Sequence, residues 1–161
     1  MSVPEISELS ALFADEQSKL DALQTVLEDE SAALLNQDIL AIEGTASKKV
    51  SALKAYQEQV DLRVSFLKQH EYQGTEQGLL ALLYCYTDDE QAKLIPLWLK
   101  LKQGFENIIA LNERNGIVIY HSQQRNRNLL NILHGCQNEP NLYNGSGTAK
   151  GRSQRQSLGE A

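Results

Sequence analysis

Apolar residues at alternating steps of three and four run along the first 35 positions of this chain. The stripe begins at Ile6 and ends at Leu34, and two acidic residues, Glu16 and Glu30, fall on the same track. This spacing is typical of an amphipathic α-helix, and about 30 residues give a rod roughly 45 Å long. A stripe so long and narrow is covered by neighbouring helices and not by a globular shell. The pattern therefore predicts an all-α fold built from long helices.

A second stripe starts directly after Asp38, which is a good N-cap for the helix that follows. The stripe runs from Ile39 to Leu67, with Lys49 and Arg63 as polar intrusions. Because the connection between the two stripes is short, they should pack as an antiparallel, coiled-coil-like hairpin. We expect these two helices over residues 5–35 and 38–70.

Two more helices are expected over residues 76–86 and 88–134. Thr87 and Glu90 match a capping box at the start of the final long helix. Pro96 lies too deep in that helix to be a first-turn proline, so it should kink the helix or end a first segment.

The seam of the final helix is apolar at both ends and polar in its middle. Its heptad track is Trp98, Leu101, Phe105, Ile108, Asn112, Asn115, Ile119, Ser122, Asn126, Leu129 and Leu133. A buried Asn in a helical seam lowers stability, and its best-attested use is to fix register or keep a surface open to a partner. Asn115-Gly116 before Ile-Val-Ile-Tyr is also a β-hairpin signature. The helical spacing on both sides favours one continuous helix.

The last 26 residues differ from the helical domain of residues 1–135. Residues 136–161 are rich in Gly, Ser, Asn and Gln, with Leu142 and Tyr143 as anchor-like side chains. Such a segment buries too little apolar area to offset its ordering entropy. We expect a disordered C-terminal arm in which the tyrosine serves binding and not a core.

Charge and composition exclude several classes of function. Residues 1–113 hold 9 basic and 19 acidic residues, whereas residues 114–161 hold 6 basic and 2 acidic ones. Nucleic-acid binding needs a denser basic patch than this. The chain has neither a membrane span nor a secretory signal, so we expect a cytoplasmic protein without membrane insertion. Because no catalytic triad, phosphate loop or closed metal site can be drawn, we expect no enzyme, no metal and no cofactor.

One segment of the final helix resembles a known family. The run LNERNG at residues 111–116, then Arg125-Asn126, then the leucines at 129, 130 and 133, resembles the FlgN family of flagellar export chaperones. Leu142-Tyr143 and the glycines after it agree with that family's tail, and the N-terminal half agrees more loosely. The similarity spans most of residues 20–147, and residues 148–161 have no counterpart.

The resemblance implies a cytosolic protein that holds hook-associated proteins, the proteins of the hook–filament junction. It also implies delivery of these proteins to the flagellar type III export gate. The residues it places on the substrate-binding helix are Asn112, Asn115, Gly116, Arg125, Asn126, Leu130 and Leu133, to which the apolar spacing adds Ile119. Tyr143, with Leu142 beside it, is implied in docking on the export apparatus.

Two alternatives stay open. A structural coiled-coil adaptor that dimerises through the first helix would show the same stripes. The final helix could also pack entirely on the first two, with its asparagines at the surface. The sequence leaves open which junction protein is bound and whether the free chain forms a homodimer.

Overall fold

The computed structural model of the chain describes residues 3–133, and within that range it contains four helices and no strand. The helices are α1 (Ile6–Asn36), α2 (Ile39–Gln69), α3 (Glu76–Leu83) and α4 (Asp88–Leu133). The predicted all-α fold is therefore confirmed. No helix in this part of the chain is both long and apolar enough to cross a membrane. The arm predicted at residues 136–161, and with it the domain boundary at 135, lies outside the described residues.

Helices α1 and α2 begin and end within one residue of the predicted positions, and α4 begins at the predicted residue, but α3 is shorter than predicted. It was expected to reach residue 86 and ends at Leu83. The backbone N–H groups of Cys85 and Tyr86 donate to carbonyls only three residues back, Leu82 and Leu83, at 2.9 and 3.3 Å. The chain thus tightens into a turn before the next helix begins.

Side-chain caps begin three of the helices. Asp38 accepts a hydrogen bond from the Ala41 N–H at 3.1 Å, as predicted. Thr75 does the same for α3. At α4 the Glu90 carboxylate accepts from both the backbone N–H and the hydroxyl of Thr87, at 3.0 and 2.8 Å. This is the Glu half of the predicted capping box, and it satisfies a backbone donor that the helix start leaves open.

Two ion pairs fix the register between α1 and α2. Glu16 binds Arg63 at 2.8 Å, and Glu30 binds Lys49 at 2.7 Å. The two carboxylates lie 14 residues apart on α1, and their partners lie 14 residues apart on α2, so both pairs belong to a single antiparallel register. The connection Gln37–Asp38 permits this hairpin because Gln37 adopts a left-handed conformation with φ 54°. The polar residues that interrupt each stripe are therefore each other's partners.

The final helix packs along both members of the hairpin. The ring of Trp98 stacks on Phe13 of α1 with centroids 6.1 Å apart, and Phe105 stacks on Tyr56 of α2 at 6.0 Å. The buried residues of α4 recur every seven positions: Leu94, Leu101, Ile108 and Asn115. The helix is parallel to α1 and antiparallel to α2, and it completes a three-helix core.

Pro96 was predicted either to kink α4 or to end a first segment of it. The prediction that a segment ends there is wrong. The helix runs without a break from Asp88 to Leu133, with Pro96 inside it. Proline removes one backbone hydrogen bond at a cost of about 3 kcal/mol. Leu94 and Leu101 are buried on either side, and each contributes about 1.5–3 kcal/mol through burial of its side chain. Packing therefore outweighs the missing bond.

Candidate functional site

All predicted substrate-binding residues lie on α4, which is continuous through Asn115-Gly116, as the favoured interpretation predicted. The chain divides into two compact units after Ser122. The residues before and after that point are therefore described separately.

Asn115 is buried, and its side chain bonds to the chain itself. Its amide donates to the Leu27 carbonyl at 2.9 Å and to one Glu30 oxygen at 3.0 Å. The other Glu30 oxygen accepts from Lys49 at 2.7 Å. One carboxylate thus joins all three long helices, and Asn115 acts as a register-fixing residue of the core.

The neighbouring predicted residues have different environments. Asn112 and Gly116 are exposed, and Ile119 is half-buried. A methyl group added at Gly116 would meet no atom within 4 Å, so nothing around this position requires a glycine. By contrast, a methyl group at Gly104 would lie 2.7 Å from the Leu20 side chain, so this glycine lets α4 approach α1 closely.

A second polar layer lies two heptads from the Glu30 layer. Arg63 donates to both oxygens of Glu16, at 2.8 and 3.3 Å, and its guanidinium lies 5.1 Å above the ring of Trp98. The Tyr56 hydroxyl donates to Glu16 at 3.5 Å. Burial, reinforced by the Glu16 charge, raises the pKa of Tyr56 to about 12. Sequence analysis missed these contacts, although equal 14-residue spacings on both stripes were visible in the sequence.

The last turns of α4, residues 123–133, present apolar side chains to solvent. Leu129, Leu130, Ile132 and Leu133 are between 52% and 80% exposed. Arg125 and Asn126 are exposed as well. No acidic residue occurs between Arg114 and Leu133. This stretch is therefore a basic helix with exposed apolar side chains, the chemistry of a helix-binding surface.

The predicted docking residues Leu142 and Tyr143 lie outside the described residues, so their role stays a prediction.

Comparisons with known proteins cover both the described helices and the predicted docking residues. A family model described as FlgN protein matches residues 1–151. A search of curated proteins gave no match, and neither did a search of solved structures. The matched range includes all four helices and every predicted site residue, so this chain belongs to the FlgN family.

Proposed function

We propose that this chain is a cytosolic chaperone that binds hook–filament junction proteins through the end of α4 and delivers them to the flagellar type III export gate. Membership of the FlgN family implies the general role of a flagellar export chaperone. The observation that supports the finer proposal is the exposed apolar group at Leu129, Leu130, Ile132 and Leu133.

A client helix has an energetic reason to bind there. Burying a leucine or isoleucine side chain fully contributes about 1.5–3 kcal/mol. A partner's amphipathic helix can cover these side chains along one face. The polar residues Arg125 and Asn126 lower the cost of leaving this stretch in water between binding events. Such a surface suits a chaperone that must bind a client and later release it.

The structure disfavours the alternative of an adaptor that dimerises through its first helix. The apolar stripe of α1 includes Leu9, Phe13, Leu20, Leu23 and Leu27, each at most 1% exposed. These side chains are covered by the chain's own helices. Dimerisation through them would require the three-helix core to open.

Two leucines of equal exposure test the client-binding proposal. Leu133 and Leu35 are each 80% exposed. Leu133→Asp should lower the affinity for a purified junction protein at least tenfold, a loss of about 1.4 kcal/mol. Leu35→Asp should leave it unchanged. Isothermal titration calorimetry gives the affinity, and thermal melting reports whether each variant is folded.

The proposal fails if both aspartate variants weaken binding equally, because a general charge effect would then be responsible. It also fails if Leu133→Asp lowers the melting temperature while affinity per folded molecule stays the same. Leu133 would then stabilise the fold and not bind the client.

Delivery to the gate is tested at Tyr143. Replacing Tyr143 with Ala should weaken docking on the cytoplasmic part of the export-gate membrane protein more than tenfold, at least about 1.4 kcal/mol. Melting temperature and junction-protein binding should stay the same, because the sequence predicts that Tyr143 serves binding and not a core. If the substitution abolishes client binding and leaves gate docking unchanged, the proposed assignment of Tyr143 to the export gate is wrong.

A further inference from the structure

Asn115-Gly116 is one of two Asn-Gly pairs in this chain, and the other is Asn144-Gly145. In such a pair the backbone nitrogen of the glycine can attack the side-chain amide carbon of the asparagine, because the two atoms close a five-membered ring within one chain. Glycine favours this attack, since it has no Cβ beside the nitrogen and its backbone turns freely. An Asn-Gly pair is therefore chemically reactive wherever its backbone is free to turn.

In the folded chain, hydrogen bonds hold both reacting groups of the first pair. Asn115 is 1% exposed, and its side-chain amide donates to the Leu27 carbonyl at 2.9 Å and to Glu30 at 3.0 Å. Gly116 lies inside α4, and in an α-helix each backbone N–H donates to the carbonyl four residues back. Ring closure needs a rotation of the backbone that an intact helix does not allow. The reaction therefore requires α4 to open at this level.

The packing around Gly116 gives no reason for a glycine. A methyl group added there meets no atom within 4 Å, and a glycine inside a helix is destabilising relative to alanine. The helix is thus weakened directly beside the buried Asn115. A segment with a lower local stability opens more often than its surroundings.

Separating α4 from the hairpin leaves both polar layers paired. The Glu16–Arg63 and Glu30–Lys49 ion pairs each join α1 to α2, so neither depends on α4. The contribution of α4 to the core consists of four buried residues, Leu94, Leu101, Ile108 and Asn115. Opening α4 therefore costs apolar contacts and the two Asn115 hydrogen bonds, but it strands neither buried carboxylate without its cation.

We propose that Asn115 is a deamidation site, protected while α4 is packed on α1 and reactive when α4 opens. The Gly116 nitrogen loses its proton and bonds to the side-chain amide carbon of Asn115. The bond from that carbon to the side-chain nitrogen breaks, and ammonia leaves. Water then adds to either carbonyl of the cyclic imide and opens the ring. The product is an aspartate, or an isoaspartate whose side-chain carbon has become part of the backbone, so the reaction consumes only water and releases only ammonia.

The product no longer fits the layer around Glu30. An ionised carboxylate only accepts hydrogen bonds, so it cannot donate to Glu30 or to the Leu27 carbonyl. Its oxygen would replace a nitrogen that lies 3.0 Å from the Glu30 carboxylate, and two like charges at that distance repel each other. Lys49 is already paired with Glu30. Isoaspartate also lengthens the backbone and interrupts the helical hydrogen bonds. Deamidation therefore prevents α4 from packing again and makes one opening irreversible.

Mass spectrometry of the tryptic peptide 115–125 measures the reaction in the full chain, because conversion of an amide to an acid changes the mass. Two samples are kept at the same pH and temperature, one in native buffer and one unfolded in guanidinium chloride. In guanidinium, Asn115 and Asn144 should react at similar rates. In native buffer the rate at Asn115 should be at least tenfold lower, because it follows the population of the open form. Equal rates at Asn115 in both buffers, or no reaction there in guanidinium while Asn144 reacts, overturn the proposal.

Two neighbouring isoleucines test whether the packing of α4 controls the reaction. Ile108 is 5% exposed and lies one heptad before Asn115, whereas Ile109 is 43% exposed. In native buffer, Ile108→Ala should raise the rate at Asn115 at least tenfold, and Ile109→Ala should raise it much less. Circular dichroism confirms that both variants are folded. A folded Ile108→Ala chain that reacts no faster than the Ile109→Ala chain contradicts the proposal.

Gly116→Ala tests the ring-closing step without any dependence on folding. In guanidinium the added Cβ should slow the reaction at Asn115 at least tenfold and leave Asn144 unchanged. An unchanged rate at Asn115 would mean that the Gly116 nitrogen is not the attacking atom.

Asn115→Asp tests the consequence of the reaction. This variant should melt at a lower temperature than Asn115→Ala, because it adds a charge beside Glu30 and does not merely remove two hydrogen bonds. If it melts at the same or a higher temperature, the product packs again and the opening is not irreversible. None of these measurements involves a client, so their outcome is independent of the Leu133→Asp test.

Discussion

The buried ion pair between Glu16 and Arg63 gives the sharpest prediction for the stability of this fold. Replacing Arg63 with Met keeps an unbranched apolar side chain against Trp98 and removes the guanidinium with its charge and its two hydrogen bonds to Glu16. The Glu16 side chain, which is 2% exposed, is then left as a buried carboxylate without a cation. The Tyr56 hydroxyl lies 3.5 Å away and compensates little of this loss.

The expected cost follows from that burial. Breaking a buried pair by removing one partner costs about 3–5 kcal/mol, because the remaining charge is uncompensated. Loss of the contact between the guanidinium and Trp98 adds about 0.5–2 kcal/mol. The double variant Glu16→Leu/Arg63→Met removes both charges, so its stability should be close to that of the wild type or higher by about 1–4 kcal/mol. The coupling energy between the two positions should thus be about 3 kcal/mol or more.

Urea denaturation measures these differences, with the single tryptophan, Trp98, as a fluorescent reporter inside the affected layer. A matched control is the pair between Lys102 and Glu76, which has the same 2.8 Å separation but side chains 47% exposed on both partners. Lys102→Met should cost less than about 1 kcal/mol, because exposed pairs contribute little. Far-UV circular dichroism confirms that each variant is helical before its stability is compared.

Two results would refute this reasoning. If Arg63→Met costs no more than Lys102→Met, burial does not decide the strength of these pairs. If the double variant is as unstable as Arg63→Met alone, the loss comes from packing around residue 63 and not from an unpaired Glu16 charge.

Three further predictions concern other residues of the helical body. In urea denaturation, Asn115→Ala should cost about 1.5–3 kcal/mol through its lost bond to a charged group, and exposed Asn112→Ala less than about 0.5 kcal/mol; equal costs would contradict the buried role of Asn115. Gly116→Ala should stabilise the chain by up to about 1 kcal/mol, since alanine is the better helix former. Gly104→Ala should destabilise it by overpacking. Melting temperatures that shift in the same direction for both variants would contradict this difference. Because the pKa of Tyr56 rises from 10.0 to about 12 on folding, its contribution to stability is present below pH 10 and is lost between pH 10 and 12. Tyr56→Phe should therefore lose less stability over that window, and identical pH profiles would contradict this.

Most of the fold could be predicted from the sequence because long amphipathic helices carry a strong periodic signal. The stripes on either side of Gln37–Asp38 predicted the hairpin, and the structure has the predicted N-cap at Asp38. The end of α3 was harder to predict from the sequence. Its leucine-rich sequence continues into Tyr84 and Cys85, and only hydrogen bonding to carbonyls three residues back shows where the helix stops.

The sequence analysis mainly failed to predict which polar residues pair with each other. Periodicity describes each helix alone, so Glu16 and Arg63 looked like defects in two separate stripes. Their identity as a pair depends on the register between the helices, which a hydrophobic pattern specifies only to within a heptad. The 14-residue spacing shared by the two acids and the two bases limits that choice, because only an antiparallel register that aligns both pairs satisfies all four charges.

The residues of the predicted site lie in two different environments, one buried and one exposed, for a similar reason. Asn112 and Asn115 lie on the same predicted seam, but only Asn115 continues the seven-residue series that begins at Leu94 and faces the core. Sequence alone could not distinguish a residue that fixes the bundle from one that faces solvent three positions earlier. The exposed state of Leu133, in contrast, agrees with its predicted role in binding, which stays untested.

The lengths of the helices are compatible with a role of α4 in both the fold and the proposed client binding. Asn115 bonds to Glu30, and α1 ends only six residues later, at Asn36. Because α4 runs parallel to α1, the last residue of α1 lies at about the level of residue 121 of α4. Up to that level the buried side chains of α4, which recur every seven residues from Leu94 to Asn115, belong to the three-helix core and its polar layers. In the turns that follow, Leu129 and Leu133 are 53% and 80% exposed. A charge introduced at Leu133 should therefore affect a bound client much more than the stability of the bundle, whereas a charge introduced at Ile108 should unfold the chain.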